Sequence, residues 1–123
     1  MGKNSLVIKR GTTEVYRFPY SQIVFIEADV SWCKVYTSGY PKNCINPLPV
    51  PLLLKDIWGK IHNDLKLTEE NIAIVRCGRS LLINPEYVRM IDVSKKTLIL
   101  SDGINYYDLK VSREALIELK TLF

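Results

Sequence analysis

The stretch Val75–Val88, VRCGRSLLINPEYV, sets two arginines, Arg76 and Arg79, on either side of Cys77-Gly78 and directly before the apolar run Leu81-Leu82-Ile83. Arginine presents a flat fork of donors that fits a phosphate or the major-groove edge of guanine. A short turn carrying two such groups ahead of a core-bound strand is either plain solvated surface or a rigid holder for something anionic. Two further element ends offer cations: the segment Ser31-Trp32-Cys33-Lys34, and Lys110 with Arg113 near the C-terminus. Taken singly, each of these reads as an ordinary surface charge.

Catalytic chemistry finds little support. There is no Gly-rich phosphate loop, G-x-S-x-G elbow, H-E-x-x-H or paired metal-ligand spacing. Glu27 and Asp29 are close in sequence, but two carboxylates at a strand end read as a solvated border rather than an acid/base pair. Lys34 beside Cys33 is able to lower a thiol's pKa, yet strand alternation sends neighbouring side chains to opposite faces. The three cysteines, Cys33, Cys44 and Cys77, show no C-x-x-C spacing, and the single histidine, His62, cannot build a multi-histidine metal site. Reduced, partly buried thiols are expected, with a thiol-based sensor as a weaker alternative. The expectation is a protein that is not an enzyme and carries no cofactor or metal.

The totals fit that picture. A chain of 123 residues, 47% hydrophobic and 24% charged, is long and apolar enough to bury a core as a single domain over 1–123. Seventeen basic against thirteen acidic side chains leave +4, which suits a polyanionic partner without requiring one. MGKNSLVIKRG lacks the long apolar core of a signal peptide, and Leu6 stands where a myristoylation signal needs Ser or Thr. PLPVPLLL is too short and too broken by proline to span a bilayer. A soluble, cytoplasmic protein with no membrane and no small-molecule partner is expected.

The elements that must position the cations are mostly strands. SLVIKR and EVYRF flank Gly11-Thr12-Thr13 as a hairpin. QIVFIEA is apolar enough for a strand buried on both faces, and SWCKVYTS is β-prone; EADVS between them reads as a polar connection. The proline-rich GYPKNCINPLPVP is either an edge strand or an irregular loop, because proline cannot donate to an interior ladder. Leu54, Ile57, Trp58, Ile61 and Leu65 then fall on one stripe of an amphipathic helix, with Pro51 expected in its first turn. Trp58 reads as core edge and His62 as helix surface. After KLTEEN, β character returns in IAIVR and SLLIN, then VRMIDV and TLILS, with Asn84–Tyr87 as a turn or a single helical turn. Asp102-Gly103 signals another hairpin, and Ser112 an N-cap for a final helix, REALIELKTLF. The expected fold is mainly β, with one internal amphipathic helix and a short C-terminal helix.

The order of these pieces resembles the LytTR family of bacterial DNA-binding domains, the output domains of response regulators in two-component systems. IVFIEADVSWCKVYT is similar to the family's early strand-loop-strand segment, and LKDIWGKI stands where the family has its helix. VRCGRSLLINPEYVRMI and LILSDGINYYDLKVSRE resemble two further family stretches, colinear from about Ile23 to Leu122. The resemblance implies an elongated arrangement of small antiparallel sheets whose loops enter double-stranded DNA, in transcription regulation. It places Arg79 and Arg113 as base-reading residues in the major groove, and a third base contact on Cys33 or its neighbours Trp32 and Ser31. Lys34, Arg76, Ser80 and Lys110 become candidates for phosphate contacts, which hold register without reading sequence. A second copy on paired sites is part of the same expectation. Gly78, where many members have histidine, together with Cys33, Trp32 and the proline-rich segment, motivates a second reading: a LytTR-like domain that has lost DNA contacts and serves as a protein-interaction module.

Overall fold

Gly11 adopts φ +60, a conformation glycine reaches without a Cβ clash, and the chain reverses there. The flanking strands, β1 (Ser5–Arg10) and β2 (Glu14–Pro19), pair antiparallel with Ile8 opposite Tyr16. The computed structural model describes residues 5–38, 46–66 and 74–123, apart from the side chains of 64–66. Cys44, the KLTEEN segment beyond Lys66, the start of IAIVR and the Leu65 side chain therefore lie outside the described residues. The hairpin buries Leu6, Ile8 and Phe18 on one face, which supplies the packing that an isolated two-stranded ribbon lacks.

The next strands, β3 (Ile23–Asp29) and β4 (Trp32–Thr37), pair with each other, and β5 (Leu48–Val50) adds to the free side of β4. The proline-rich segment thus ends as an edge strand, the position where Pro49 costs no interior hydrogen bond. Helix α1 (Leu54–Lys66) follows; it starts at Leu54, so Pro51 precedes the helix rather than occupying its first turn. Its stripe is used as expected: Leu54, Ile57 and Ile61 are buried, Trp58 packs at the core margin, and His62 is exposed. Strands β6 (Val75–Cys77) and β7 (Leu81–Ile83) complete an antiparallel sheet of order β5-β4-β3-β7-β6.

A bulge decides which β3 side chains face which side of this sheet. The register shifts between Ile23 and Phe25, which inserts Val24 as an extra residue. Ile23 and Ile26 consequently share one face, packing with Leu6, Ile8, Phe18 and α1. Val24 and Phe25 point to the other, where they meet Leu98, Leu100, Leu116 and Leu119.

That second face is covered by β8 (Val88–Asp92), β9 (Thr97–Ser101) and β10 (Tyr106–Lys110), a sheet of order β10-β9-β8, and by α2 (Arg113–Lys120). Asn84 leads into it through one helical turn, Pro85–Tyr87; its side-chain oxygen accepts from the Glu86 N–H at 3.0 Å. In the β9–β10 hairpin Asp102 accepts from the backbone N–H groups of Ile104 and Asn105, at 2.9 and 2.6 Å. Ser112 caps α2 by accepting from the Ala115 N–H at 3.3 Å, as its sequence position predicts. The expected class holds: mainly β, three antiparallel sheets, one internal helix and a short C-terminal helix.

One expected connection is much shorter than read. Glu27, Ala28 and Asp29 belong to β3 and stand opposite Lys34, Cys33 and Trp32. Only Val30 and Ser31 remain between the strands, so EADVS is a strand end and a tight turn.

Candidate nucleic-acid interface

Three connections meet at one end of the five-stranded sheet. Glu27 of β3 pairs with Leu81 of β7, and the Ala28 N–H donates to the Ser80 carbonyl at 2.8 Å. This bond joins the base of the Val30–Ser31 turn to the Gly78–Ser80 turn. On the other side, the hairpin β1–β2 reaches the same end: the Arg10 guanidinium lies 6.0 Å from the centroid of the Trp32 ring. Adjacent antiparallel strands therefore present these turns side by side.

The Arg79 turn is braced from within. Arg76 Nε–H donates to the Gly78 carbonyl at 3.2 Å, and its Nη2 reaches the Arg79 carbonyl at 3.5 Å. Gly78 has φ +73, and a Cβ there would lie 3.7 Å from the Ala115 Cβ of α2. A left-handed turn packed this near a helix favours glycine for its backbone more than for space. The Arg76 guanidinium is thus largely spent on holding the turn, whereas Arg79 is exposed and, among the described residues, has no carboxylate partner.

Between this turn and the β10–α2 junction runs an open groove of about 720 Å³. Arg76, Arg79 and Ser80 line one side; Lys110 and Ser112 line the other, with Glu114 and Glu118 further along α2. Lys110 Nζ donates to Thr97 Oγ1 at 3.2 Å, a neutral partner that leaves its charge uncompensated. Arg113 falls between two groove-lining residues in the first turn of α2; it too is exposed and, among the described residues, unpaired with any carboxylate. The fold therefore brings the Arg79 turn and the start of α2 to the borders of the same groove. Among the described residues no cluster of groups suited to hold a metal occurs.

The third expected contact needs correction at Cys33. Its side chain is 0% exposed and packs beneath the β3–β4 turn, because alternation from Trp32 turns it inward. Burial pushes its thiol up to about 11, and burial with the Glu118 carboxylate nearby does the same for Cys77. Thiols held protonated in the core fit neither base reading nor sensing. Trp32 and Ser31 remain exposed at the turn. Lys34 stands 3.4 Å from Asp29, whose carboxylate raises the lysine's pKa and compensates its charge.

Two residues at this end escaped the sequence reading. Val30, at φ +55, is 95% exposed at the tip of the β3–β4 turn. Arg10 belongs to a hairpin distant in sequence and lies against Trp32 only through the fold. A valine between Asp29 and Ser31 was the available signal for the first; for the second there was none.

A family model of the LytTr DNA-binding domain matches residues 52–123, more than half of the 123-residue chain. The α1, Arg79-turn and C-terminal motifs fall inside that range, while the β3–β4 segment precedes it. A solved structure described as the LytTr DNA-binding domain of a methyl-accepting/DNA response regulator from Bacillus cereus superposes with a TM-score of 0.59 at 20% identity. It covers 98% of this chain and 97% of its own, so the likeness of fold extends to the N-terminal strands. No curated protein matches the chain. Among the described residues no helix is long and apolar enough to cross a membrane.

Proposed function

The chain belongs to the LytTr DNA-binding domain family, a non-catalytic one, and on that premise we propose that residues 1–123 form one unit that reads double-stranded DNA sequence-specifically in transcription regulation. Arg79 and Arg113 are its base readers in the major groove. The observation that supports this reading is the shared groove: exposed Arg79 lines one side and Lys110 and Ser112 the other, beside exposed Arg113 in the first turn of α2. Neither arginine pairs with a carboxylate among the described residues, although Glu114 and Glu118 also line the groove. An arginine held this way is free to engage guanine with both arms of its fork. Such a regulator works where the chromosome is, in the cytoplasm, and a second copy would occupy a paired site.

Phosphate contacts fall to the groove's other donors. Lys110 and Ser80 are the foremost candidates. Arg76 contributes charge while bracing the turn, and Lys34 contributes less because Asp29 already compensates it.

Titration with duplex DNA at low and moderate salt tests the reading. Binding should weaken steeply as salt rises, since counterions released by the basic groups are retaken. Lys110→Ala should weaken binding to all sequences alike and reduce the slope of log affinity against log salt by about 1. Little binding and little salt dependence would contradict the proposal and favour the protein-interaction module, for which half-exposed Trp32 is the motivating residue.

A further inference from the structure

The β3–β4 turn is built in a way that its own packing does not explain. Only Val30 and Ser31 separate the facing residues Asp29 and Trp32. Val30 stands at φ +55, where a β-branched side chain crowds its own backbone and glycine would not. The fold returns nothing for this strain, because Val30 is 95% exposed, more than any other large hydrophobic side chain among the described residues. Strain of this kind persists where the surroundings enforce it, and it clusters at contact sites.

The surroundings do enforce it. Cys33, 0% exposed, fixes the start of β4 in the core, and the Arg10 guanidinium lies over the Trp32 ring. The Lys34–Asp29 pair, at 3.4 Å, compensates the lysine's charge at the base of the turn, where Glu27 also stands opposite Lys34. What projects is a neutral tip of one aliphatic side chain, one hydroxyl and a half-exposed indole. Such a tip has no charge with which to grip phosphate. In the major groove, the apolar feature that a base pair offers is the 5-methyl group of thymine.

Resting on the reading that this end of the sheet faces duplex DNA, we infer that the Val30–Ser31 turn is a specificity element that recognises thymine, Val30 packing against the 5-methyl group. The domain would then read by two chemistries, hydrogen bonds from arginine to guanine and apolar contact from Val30 to thymine. Trp32 is a positioning residue, held by Arg10 and backing the tip.

The test takes a duplex enriched from a random pool by the wild-type protein and replaces each thymine in turn with deoxyuridine, which removes only the methyl group. At one thymine or two adjacent ones, uracil should weaken wild-type binding about fourfold, the factor for burying one methyl-sized group. Val30→Gly should bind the thymine and uracil forms alike there, and should melt several degrees higher because glycine accepts the positive φ freely. Val30→Ala should lose most of the thymine preference without that gain in melting temperature. Arg79→Ala should weaken binding yet keep the thymine-to-uracil ratio. The inference is overturned if no thymine is sensitive, or if Val30→Gly keeps the wild-type ratio, or if Arg79→Ala abolishes the ratio as well. Unchanged binding by Arg79→Ala, with the Val30 ratios as expected, would instead count against the guanine-reading role alone. Failure to enrich any duplex would overturn both.

Discussion

Arg79→Ala should weaken binding to an enriched duplex by about 1–3 kcal/mol and relax the preference at one base position, leaving the other positions as they were. The expectation follows from what surrounds the residue. The turn's conformation is fixed by Gly78 at φ +73 and by Arg76, which donates to the Gly78 and Arg79 carbonyls at 3.2 and 3.5 Å. None of these bonds uses the Arg79 side chain, so its removal should leave the turn in place. The loss then reports a contact to DNA and not a collapsed loop. Melting temperature serves as the control: Arg79 is exposed, and its truncation should move stability by about 0.5 kcal/mol or less. An unchanged preference at every position would remove Arg79 from the set of readers.

Phe25→Ala should cost about 3–5 kcal/mol of folding stability, read by urea unfolding at low temperature. Phe25 is 1% exposed and stacks on Tyr36, with ring centroids 4.0 Å apart and an interplanar angle of 12°. Tyr107 of β10 meets its edge at 5.1 Å, so one ring ties the five-stranded sheet to the three-stranded one. It also stands opposite Ile83 in β7, the strand that leaves the Arg79 turn. A domain of this size is stable by about 5–15 kcal/mol, so the variant should lie near the limit of folding. A loss under about 1 kcal/mol would show that the aromatic cluster does not join the sheets as described.

Local patterns made most of the fold legible. The α1 stripe, the Ser112 cap and the turns at Gly11 and Asp102 each depend on residues within a few positions, and each appears in the structure. EADVS overstates the β3–β4 connection: QIVFIEA already carries Glu27 and Ala28 into the strand, and pairing opposite Trp32 holds Asp29 there too. That pairing is local, but Val30-Ser31 lacks the Asn-Gly or Asp-Gly signature that marks a two-residue hairpin turn in sequence. Cys33 is a base-contact candidate only through the family resemblance, whereas pairing opposite Ala28 turns its side chain into the core, in keeping with the partly buried thiol expected from residue type. The bulge at Val24 was equally invisible, since four consecutive apolar residues fit a doubly buried strand with or without it. For the site, residue type and family resemblance singled out Arg79 and Arg113. The groove that relates the Arg79 turn to the start of α2 depends on how α2 packs against β6 and β8, which sequence spacing does not encode.

The central claim is that one scaffold offers Arg79 and Arg113 to a single stretch of double helix. Its most direct test is a base-by-base substitution profile of an enriched duplex, measured at fixed salt for the wild type, Arg79→Ala and Arg113→Ala. Each variant should lose discrimination at its own base position, and the two positions should lie within about one helical turn of each other. Profiles that keep the wild-type pattern in both variants, scaled only in overall affinity, would contradict the account.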